Sequence, residues 1–478
     1  MIPVYLAHQV RDMDRYLIDS VGIPSHTLME VAGRGAAAKL NEIYKSTPIT
    51  IICGSGNNGG DGYVMARWLH SWRREVRLWQ VAPPTTADAI LNAQLCLQLN
   101  ISLTATEPAF ATDEIIVDAL LGTGQSRPPS GKYLAAIQAI NKAQQNGAKV
   151  CSVDVPTGIQ VDTGSPFGED YIQPNVTIGF GFMKRGQLSG YHIGRIEMID
   201  IGLSLARNVH SKCDYILENH DVSGWWPVEQ PTAAKWNRGH VAIIGGGGAT
   251  VLAAHAALAA GAGLVSILMP QKNWSSLHGL RPEVILAEEK SLNAKKHDVL
   301  ILGPGLGTDR IELVVELYNN FPNTIVIDAD AITILSKVRP SRSKFTRIFT
   351  PHAAEAGRLL EKTPEQVTRD PFTSIKDLQK WGFAILKGPW TKIGVNPIYI
   401  NPTGDNRLAI AGSGDVLTGL IATFCAKGLP PKHACALATY WHGLAGENLR
   451  QNDSATHLLL SLHNTLQQIY PCKNDSSC

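Results

Sequence analysis

The sequence predicts an α/β protein of two domains, each with a parallel sheet covered by helices on both faces. Apolar strand-like runs alternate with helical segments, which is typical of βαβ units. The order strand, glycine loop, helix occurs twice, first after ITIICG (49–54) and again after GHVAIIGG (239–246). The 44 glycines also suit a fold with many strand-to-helix turns. We therefore expect domains over 1–218 and 219–478, with a linker near 210–225 where strand and helix signals are few.

The elements follow in order along each half. A helical stretch at about 5–45 comes first, and a closing pair of helices follows residue 411. The Ala- and Gly-rich stretch 251–270 is predicted as a buried helix running into a strand, because His255 lies within it and turns flank it. The predicted strands cover 49–54, 75–81, 114–118, 149–154, 175–180, 239–246, 264–270, 298–303, 324–330 and 383–388.

Composition and charge narrow the function classes. The 43 Lys+Arg against 41 Asp+Glu exclude a strongly basic nucleic-acid surface and an acidic tail. The eight cysteines form no CxxC pair, so neither a zinc site nor a thioredoxin-like site is predicted. The first ten residues lack the pattern of a signal peptide. We expect a cytoplasmic protein with no nucleic-acid or membrane partner, and a frayed tail around Cys472 and Cys478.

The glycine loop of the first half, GSGNNGGDG (54–62), carries more polar groups than a turn needs. Its glycines match the GxGxxG dinucleotide pattern, but the acidic residue expected at the end of the next strand is absent, since Glu75 stands at that strand's start. Asn57, Asn58 and Asp61 add side-chain oxygens to the loop. A tight turn that simply requires glycine flexibility stays an open alternative.

Two further strands of this half end in acid. Asp118 closes EIIVD and Asp154 closes CSVD. Because carboxyl ends of parallel strands line the ligand crevice of an open sheet, Asn58, Asp118 and Asp154 are predicted to converge. Singly, each aspartate is as well explained as a helix or turn cap. Together they suit a hard cation, with one carboxylate left for proton transfer.

GSGNNGGDGYVMARWL, VDALLGTG and VDVPTGIQVDTG together resemble the NAD(P)H-hydrate epimerase domain over nearly all of 1–215. The resemblance implies a Rossmann-like three-layer fold and a potassium site formed by Asn58, Asp118 and Thr157, where the family usually has serine. It also implies that Asp154 is the acid/base at C6 of the hydrated nicotinamide ring. The substrate contacts that it implies are Asn57, Asn58, Gly59, Gly60, Asp61, Gly122, Thr123, Gly124, Gln125, Ser126, Arg127, Pro128, Tyr133 and Asp154.

The second half contains AGSGD (411–415) at the start of an apolar helix. Small residues there point backbone N–H groups at one place and favour an anion site, beside which Asp415 would act as general base. An N-cap role for Asp415 stays open. His352 follows another strand and is either a structural donor or a functional group. Asp328 and Asp330 either hold a ligand or cap a helix.

GPGLG, VIDADAI, TPHAAEAGRLL, LKGPWT and AGSGDVLTG together resemble the ADP-dependent NAD(P)H-hydrate dehydratase domain, of ribokinase-like fold, over about 225–465. The resemblance implies ADP as co-substrate, with Mg²⁺, and Asp415 as the group that takes the hydroxyl proton. Two departures stand out: a shortened glycine turn at 245–248 and a bulky Trp390. The implied nucleotide contacts are Lys387, Gly388, Pro389, Trp390, Thr391 and Gly414, and the implied hydrate contacts are Ala249, Gly307, His352 and Asp415.

We therefore expect an enzyme that epimerises hydrated NADH and NADPH (NADHX and NADPHX) in its first half and dehydrates the S epimer in its second. We expect it to form a homo-oligomer. Two alternatives remain: the second domain is a ribokinase-like small-molecule kinase, or the first is a non-catalytic binding module.

Overall fold

A computed structural model of the chain describes residues 1–45, 47–190, 192–228, 232 and 234–470. Cys472 and Cys478 lie outside the described residues. The chain divides into two compact units. We call them the N-terminal unit, Pro3–Cys213, and the C-terminal unit, Asp214–Cys478 with Met1–Ile2. Each unit is described by itself.

The N-terminal unit contains a parallel sheet of seven strands in the order β4-β3-β2-β5-β6-β7-β9. Strand order reverses at the β2/β5 pair, because the chain first builds β3 and β4 on one side of β2 and then returns to the other. The short strands β1 and β8 pair separately. The elements are β1 Ile2–Tyr5, α1 Ala7–Tyr16, α2 Ser25–Ile43, β2 Ile49–Cys53, α3 Asn57–Ser71, β3 Val76–Gln80, α4 Ala87–Gln98, β4 Ser102–Thr104, β5 Ile115–Ala119, α5 Lys132–Gln145, β6 Lys149–Val153, β7 Val176–Phe180, β8 Met183–Lys184 and β9 Arg195–Ile199.

Burial explains why the sequence pattern predicts this sheet correctly. Every residue of β2, β5 and β7 is buried, as expected for parallel strands with helices on both faces. Apolar residues of α2, α3 and α4 form one core cluster with the sheet, and those of α5 form a second. The predicted three-layer α/β arrangement is confirmed.

The C-terminal unit contains a sheet in the order β13-β12-β11-β14-β15-β16-β17-β18-β19-β10. Strands β11 to β17 are mutually parallel, β18 is antiparallel to both its neighbours, and β10 is parallel to β19. Strand order reverses at β11/β14. The elements are β10 Asp214–Ile216, α6 Asn219–Gly224, β11 His240–Ile244, α7 Gly247–Ala259, β12 Leu264–Leu268, β13 Ile285–Ala287, β14 Val299–Leu302, α8 Ile311–Asn320, β15 Thr324–Ile327, α9 Ala329–Val338, β16 Arg347–Phe349, α10 Ala353–Leu360, α11 Pro364–Arg369, α12 Pro371–Leu378, β17 Phe383–Leu386, β18 Lys392–Gly394, β19 Tyr399–Ile400, α13 Ser413–Ala426, α14 Pro431–Glu447 and α15 Ala455–Ile469.

The stretch expected to be a linker, 210–225, is instead structured. β10 pairs with β19, with Tyr215 opposite Tyr399 and Ile216 opposite Ile400, and α6 follows it. A three-residue edge strand carries too short a pattern to be read from sequence. The stretch 251–270 is the predicted helix-then-strand, α7 into β12. Among the described helices, none has the length and apolar character needed to cross a membrane.

Close packing of α7 and α13 sets the position of the second glycine motif. A Cβ atom on Gly419 would lie 2.3 Å from the Ala253 carbonyl oxygen, so only glycine permits this approach. Small residues on α7, including Ala253, Ala256 and Ala257, are fully buried at the same contact. The approach fixes α13 against the sheet, with the helix N-terminus at residues 412–413.

Arg347 holds together the end of α8 and the neighbouring strand. Its side chain is 1% exposed. Its guanidinium donates to the carbonyls of Tyr318, at 2.9 Å, and Phe321, at 2.7 Å, and also to that of Asn323. These carbonyls belong to the last turn of α8 and the loop after it, where no intrahelical N–H group is available to them.

We predict that Arg347→Met lowers the free energy of unfolding by about 2–4 kcal/mol, because it leaves several buried carbonyls without donors. Urea denaturation followed by tryptophan fluorescence measures this loss. Arg342→Met is the matched control, since Arg342 is exposed on the preceding segment. Equal effects of the two substitutions would contradict the capping role of Arg347.

Candidate active sites

A cavity of about 770 Å³ lies in the N-terminal unit at the carboxyl ends of β2, β5 and β6. This is where strand order reverses, the usual ligand position in an open α/β sheet. Of the residues predicted to contact substrate, those that line the cavity are Asn57, Asn58, Asp61, Gly122, Thr123, Gly124, Gln125 and Asp154. The remaining predicted contacts do not line it, namely Gly59, Gly60, Ser126, Arg127, Pro128 and Tyr133.

Glycines of the first loop serve backbone packing. A Cβ on Gly59 would lie 2.1 Å from the Gly54 carbonyl oxygen, so the start of α3 packs directly on the end of β2. The Tyr133 hydroxyl lies 3.0 Å from both the backbone nitrogen and the Oγ of Ser55. Gly59 and Tyr133 therefore hold the loop in place from behind the cavity.

Asp154 is the most constrained carboxylate at this cavity. It has φ of 66°, a left-handed conformation that is rare for aspartate. Its Oδ1 lies 2.8 Å from the ammonium group of Lys184, and its Oδ2 accepts from the backbone N–H of Thr123 at 3.1 Å. A Cβ on Gly122 would lie 2.9 Å from Asp154 Oδ2 and 3.1 Å from Asn58 Oδ1. The side chains of Asp154 and Asn58 thus both approach the backbone at Gly122, which has no side chain.

Lys184 was missed by sequence reasoning. Its side chain is 1% exposed, and besides Asp154 it donates to the Phe180 carbonyl at 2.9 Å. A buried ammonium requires such pairing, because an isolated charge away from water is very costly. The available signal was a lysine placed four residues beyond the apolar strand β7.

Of the three predicted potassium ligands, Asn58 lines the cavity, whereas Asp118 and Thr157 do not. Asp118 is fully buried and accepts from Thr157 Oγ1 at 2.7 Å, from the Thr157 backbone N–H at 2.9 Å and from Ser152 Oγ at 2.8 Å. Burial raises the pKa of Asp118, and the Thr157 and Ser152 hydrogen bonds oppose that rise. The Asn58 amide is buried, with no hydrogen-bond partner for either Oδ1 or Nδ2 among the described residues. A buried amide without a hydrogen-bond partner is a group whose oxygen a hard cation would satisfy.

The carboxyl groups of Asp19 and Asp88 line the same cavity. So do two more, those of Asp61 on α3 and Asp14 on α1. Burial is the main cause of the raised pKa of each, and the negative charge of Asp154 adds to it. Asp14 was also missed, because the polar face of α1 reads as an ordinary solvated helix face.

In the C-terminal unit, the N-terminus of α13 carries the second site. Gly412 occupies the N-cap position with φ of 90°, which favours glycine, and Asp415 lies in the first turn. The alternative that Asp415 is the N-cap is therefore wrong. A Cβ on Gly414 would lie 3.2 Å from Lys387 Nζ and 3.5 Å from Asp328 Oδ2. The helix start thus faces the ends of β15 and β17.

The carboxyl groups at this site outnumber the one lysine that the three of them surround, Lys387. Lys387 Nζ lies 3.0 Å from Asp328 Oδ1 and 3.9 Å from Glu355 Oε2. Burial alone would lower the pKa of Lys387, but the two carboxylates outweigh it and raise that pKa. Burial and then the charge of Asp328 raise the pKa of Asp415 to about 7, although the charge of Lys387 opposes this rise. Asp415 can therefore gain or lose a proton near neutral pH.

His352 begins α10 and caps it. Its Nδ1 accepts from the backbone N–H groups of Ala354 at 3.1 Å and Glu355 at 3.4 Å. Its Nε2 lies 3.5 Å from Glu355 Oε1, and burial lowers the pKa of the ring. His352 Nδ1 therefore has a structural role, but as an acceptor from backbone N–H groups and not as the predicted donor. Nε2 is the ring nitrogen that is left to meet a ligand.

His442, on α14, was missed by sequence reasoning. Its Nε2 lies 2.9 Å from the Ser413 carbonyl oxygen in the first turn of α13. Burial lowers the pKa of His442 to about 4, so the ring is neutral and donates to that carbonyl. A histidine in the middle of an apolar helix gave no sequence signal for this contact.

The other predicted contacts occupy loops at the carboxyl edge. Ala249 lies in the first turn of α7. Gly307, with φ of 83°, donates its N–H to Asp330 Oδ2 at 2.8 Å, so Asp330 holds the glycine turn. The turn at 388–391 is closed by Thr391 Oγ1, which donates to the Gly388 carbonyl at 2.8 Å.

Both halves of the chain are similar to known proteins. Residues 241–468 match the family described as NAD(P)H-hydrate dehydratase, and residues 25–186 match that described as YjeF-related protein N-terminus. A protein of Coxiella burnetii named bifunctional NAD(P)H-hydrate repair enzyme Nnr is 33% identical, covering 96% of this chain and 97% of its own. Its namesake in Moorella thermoacetica is also 33% identical, covering 92% and 91%.

A solved structure of a ribokinase-like superfamily protein from Enterococcus faecalis V583 is 26% identical, with a TM-score of 0.49, and covers 55% of this chain and 99% of that one. The 33% identity to these repair enzymes extends over nearly the full length of the chain and includes both matched regions. It therefore shows the family of this chain. The chain belongs to the family of bifunctional NAD(P)H-hydrate repair enzymes.

Proposed function

We propose that this chain repairs hydrated nicotinamide cofactors. Its N-terminal unit interconverts the R and S forms of NADHX and NADPHX, and its C-terminal unit dehydrates the S form to NADH or NADPH at the expense of ADP. One observation supports this most: each unit presents one distinctive carboxylate, Asp154 or Asp415, at the edge where its strand order reverses. The chain also matches both halves of the family.

In the epimerase cavity, Asp154 is the proposed acid/base at C6 of the hydrated ring. Lys184 and the Thr123 N–H hold its two oxygens in fixed positions. Fixed orientation of the proton-transfer group lowers the barrier, because no reorganisation precedes the transfer. The predicted contacts along 57–61 and 122–128, with Tyr133, are proposed to hold the rest of the dinucleotide.

Potassium is the proposed ion of this unit, held by Asn58, Asp118 and Thr157. The Asn58 amide, which is buried and has no hydrogen-bond partner among the described residues, supports that assignment. The ion would supply positive charge near the cavity and orient the Asn58 side chain. The carboxylate of Asp118 is kept in place by Thr157 and Ser152 through hydrogen bonds within the protein.

In the dehydratase site, Asp415 is proposed to accept the proton of the C6 hydroxyl as that oxygen takes a phosphoryl group from ADP. The phosphorylated oxygen then leaves with its phosphate as C5 loses a proton, which restores the ring double bond. Backbone N–H groups at 412–414 and the Lys387 ammonium meet the charge on the phosphate. His442 keeps the first turn of α13 in place for this contact.

The nucleotide is proposed to contact Lys387–Thr391 and Gly414, and the hydrate to contact Ala249, Gly307, His352 and Asp415. Mg²⁺ with the nucleotide would find oxygen ligands at Asp328 and Glu355, the donor type that this ion prefers. The six described cysteines are free, which supports the predicted cytoplasmic location. The predicted homo-oligomer stays a prediction that light scattering would test.

We predict that wild-type protein with ADP restores the 340 nm absorbance of a mixed-epimer hydrate completely, faster than the epimers interconvert spontaneously. Asp154→Asn should stop at the S fraction, because the R form is no longer converted. Asp415→Asn should give no recovery while still equilibrating the epimers. Both substitutions keep side-chain size, so each is the folding control for the other. A stable phosphorylated product from ATP, with no recovery, would instead favour the kinase alternative.

We predict that replacing potassium with tetramethylammonium slows epimerisation at least tenfold but leaves dehydration of pure S hydrate unchanged. A large organic cation cannot take the place of K⁺ among the oxygens of Asn58, Asp118 and Thr157. The two rates are measured separately, by chromatography of the epimers and by absorbance. Unchanged epimerisation in the organic cation would rule out this ion site.

We predict that dehydration of pure S hydrate falls about tenfold per pH unit below pH 7 and levels off above it. Asp415 acts as a base only when ionised, and its raised pKa of about 7 places the loss of charge in that range. The initial rate with saturating ADP and fixed Mg²⁺ is measured from pH 5.5 to 8.5, minus the rate without enzyme. A flat profile would contradict proton removal by Asp415.

A further inference from the structure

Helix α1 supplies a wall of the epimerase cavity that none of the predicted site residues belongs to. The side chains of α1 that line the cavity are Val10, Arg11, Asp14 and Arg15. Ile18 and Asp19, in the helical turn Leu17–Val21 that follows α1, continue this wall. These positions recur at the spacing of one helix face. The family match to the N-terminal half begins only at residue 25, after this helix.

Packing and hydrogen bonds fix α1 in this position. Val10, Met13 and Leu17 are buried in one apolar cluster of the N-terminal unit. Arg11 Nη1 donates to the Thr123 carbonyl at 2.8 Å, in the same loop whose N–H holds Asp154. The Ala7 N–H donates to Asp162 Oδ1 at 2.7 Å. Helix α1 is therefore held in a fixed position as part of the cavity wall.

Two acidic side chains lie on this wall, and Asp14 is the more buried of them, since Asp19 is exposed. Among the described residues, no hydrogen bond or ion pair engages the Asp14 carboxyl group, whereas the Asp154 carboxylate is paired with Lys184. Burial, with the nearby charge of Asp154, raises the pKa of Asp14, which favours a carboxyl group that carries a proton. The cavity thus holds an anchored carboxylate, Asp154, and carboxyl groups on other elements whose burial favours a proton, Asp14 and Asp61.

The chemistry of epimerisation requires two such groups. When the C6–O bond of the hydrate breaks, the leaving hydroxyl needs a proton, and the ring nitrogen lone pair stabilises the cation left at C6. Inversion then requires water to add to C6 from the other face, where a base must take its proton. A single anchored carboxylate serves one face of the ring.

We propose that Asp14 is the second proton-transfer group of the epimerase site, acting on the opposite face of the ring from Asp154. In one direction the Asp14 carboxyl protonates the departing hydroxyl, which leaves as water. Water adds to C6 on the Asp154 side, and Asp154 takes its proton. The opposite direction uses the two groups in reversed roles. Before another turnover in the same direction Asp154 releases its proton to water and Asp14 takes one up, so no net acid or base is consumed. This inference rests on the proposed epimerase activity.

Asp61 also lines the cavity, but it belongs to a different element of the fold from Asp14. It lies on α3, which follows β2, and Asp154 follows β6, so both come from the carboxyl edge of the same parallel sheet. Asp14 comes from a helix that precedes the sheet in the chain. Two groups that act on opposite ring faces must approach from different walls, which favours Asp14.

The test uses the full chain with Asp14→Asn, which keeps side-chain size and removes the transferable proton. We expect kcat for R-to-S conversion to fall about 10²–10⁴-fold, the usual contribution of a positioned acid or base, with KM little changed. ADP-dependent dehydration of pure S hydrate should be unchanged and reports that the protein is folded. Asp12→Asn is the matched control on the same helix, where Asp12 bonds His210 and does not line the cavity.

Oxygen exchange supplies a second readout that a structural role would not affect. In ¹⁸O-labelled water, wild-type protein should incorporate ¹⁸O at C6 as the epimers interconvert, and Asp14→Asn should lose exchange and epimerisation together. Normal epimerisation by Asp14→Asn, or wild-type epimerisation without ¹⁸O incorporation, would overturn the inference. Wild-type protein that does not epimerise at all would instead refute the proposed function.

Discussion

The reversal of strand order, at β2/β5 in one unit and β11/β14 in the other, is the constraint on which both sites depend. Where neighbouring connections leave a parallel sheet in opposite directions, their loops separate and a crevice opens at the carboxyl ends. The glycine loops at 54–62 and 245–248 both follow the strand at the reversal. Catalytic groups then come from other strands along the same edge, so residues far apart in sequence share a crevice.

Electrostatics distinguish the two crevices. In the N-terminal unit Lys184 lies against Asp154 itself, so the carboxylate has its own cation. In the C-terminal unit Lys387 pairs with Asp328 and Glu355, and among the described residues Asp415 forms no ion pair. An ion pair fixes the orientation of a carboxylate, whereas burial without one favours the protonated form. This difference suits an anchored acid/base in one case and a base that titrates near neutrality in the other.

Backbone contact brings these groups close enough to act. Gly59 permits α3 to start directly on the end of β2, and Gly419 permits α13 to lie against α7. A Cβ at either position would meet a carbonyl oxygen at 2.1 Å and 2.3 Å respectively, so any side chain would push the helix away from the sheet or its neighbour. These glycines therefore affect the two sites by setting where the N-termini of α3 and α13 lie.

The sequence by itself determined the two α/β sheets, the paired glycine loops and the acidic strand ends, because buried parallel strands and turn glycines leave a local pattern. It did not reveal β10, whose three residues are too few for a pattern, or Lys184, Asp14 and His442. Lys184 and His442 contact partners that are distant in sequence. The partner of Lys184 is Asp154, and that of His442 is the Ser413 carbonyl. Only the tertiary structure decided which polar side chains face a crevice, because ion pairing, burial and shared charge arise when separate elements pack together.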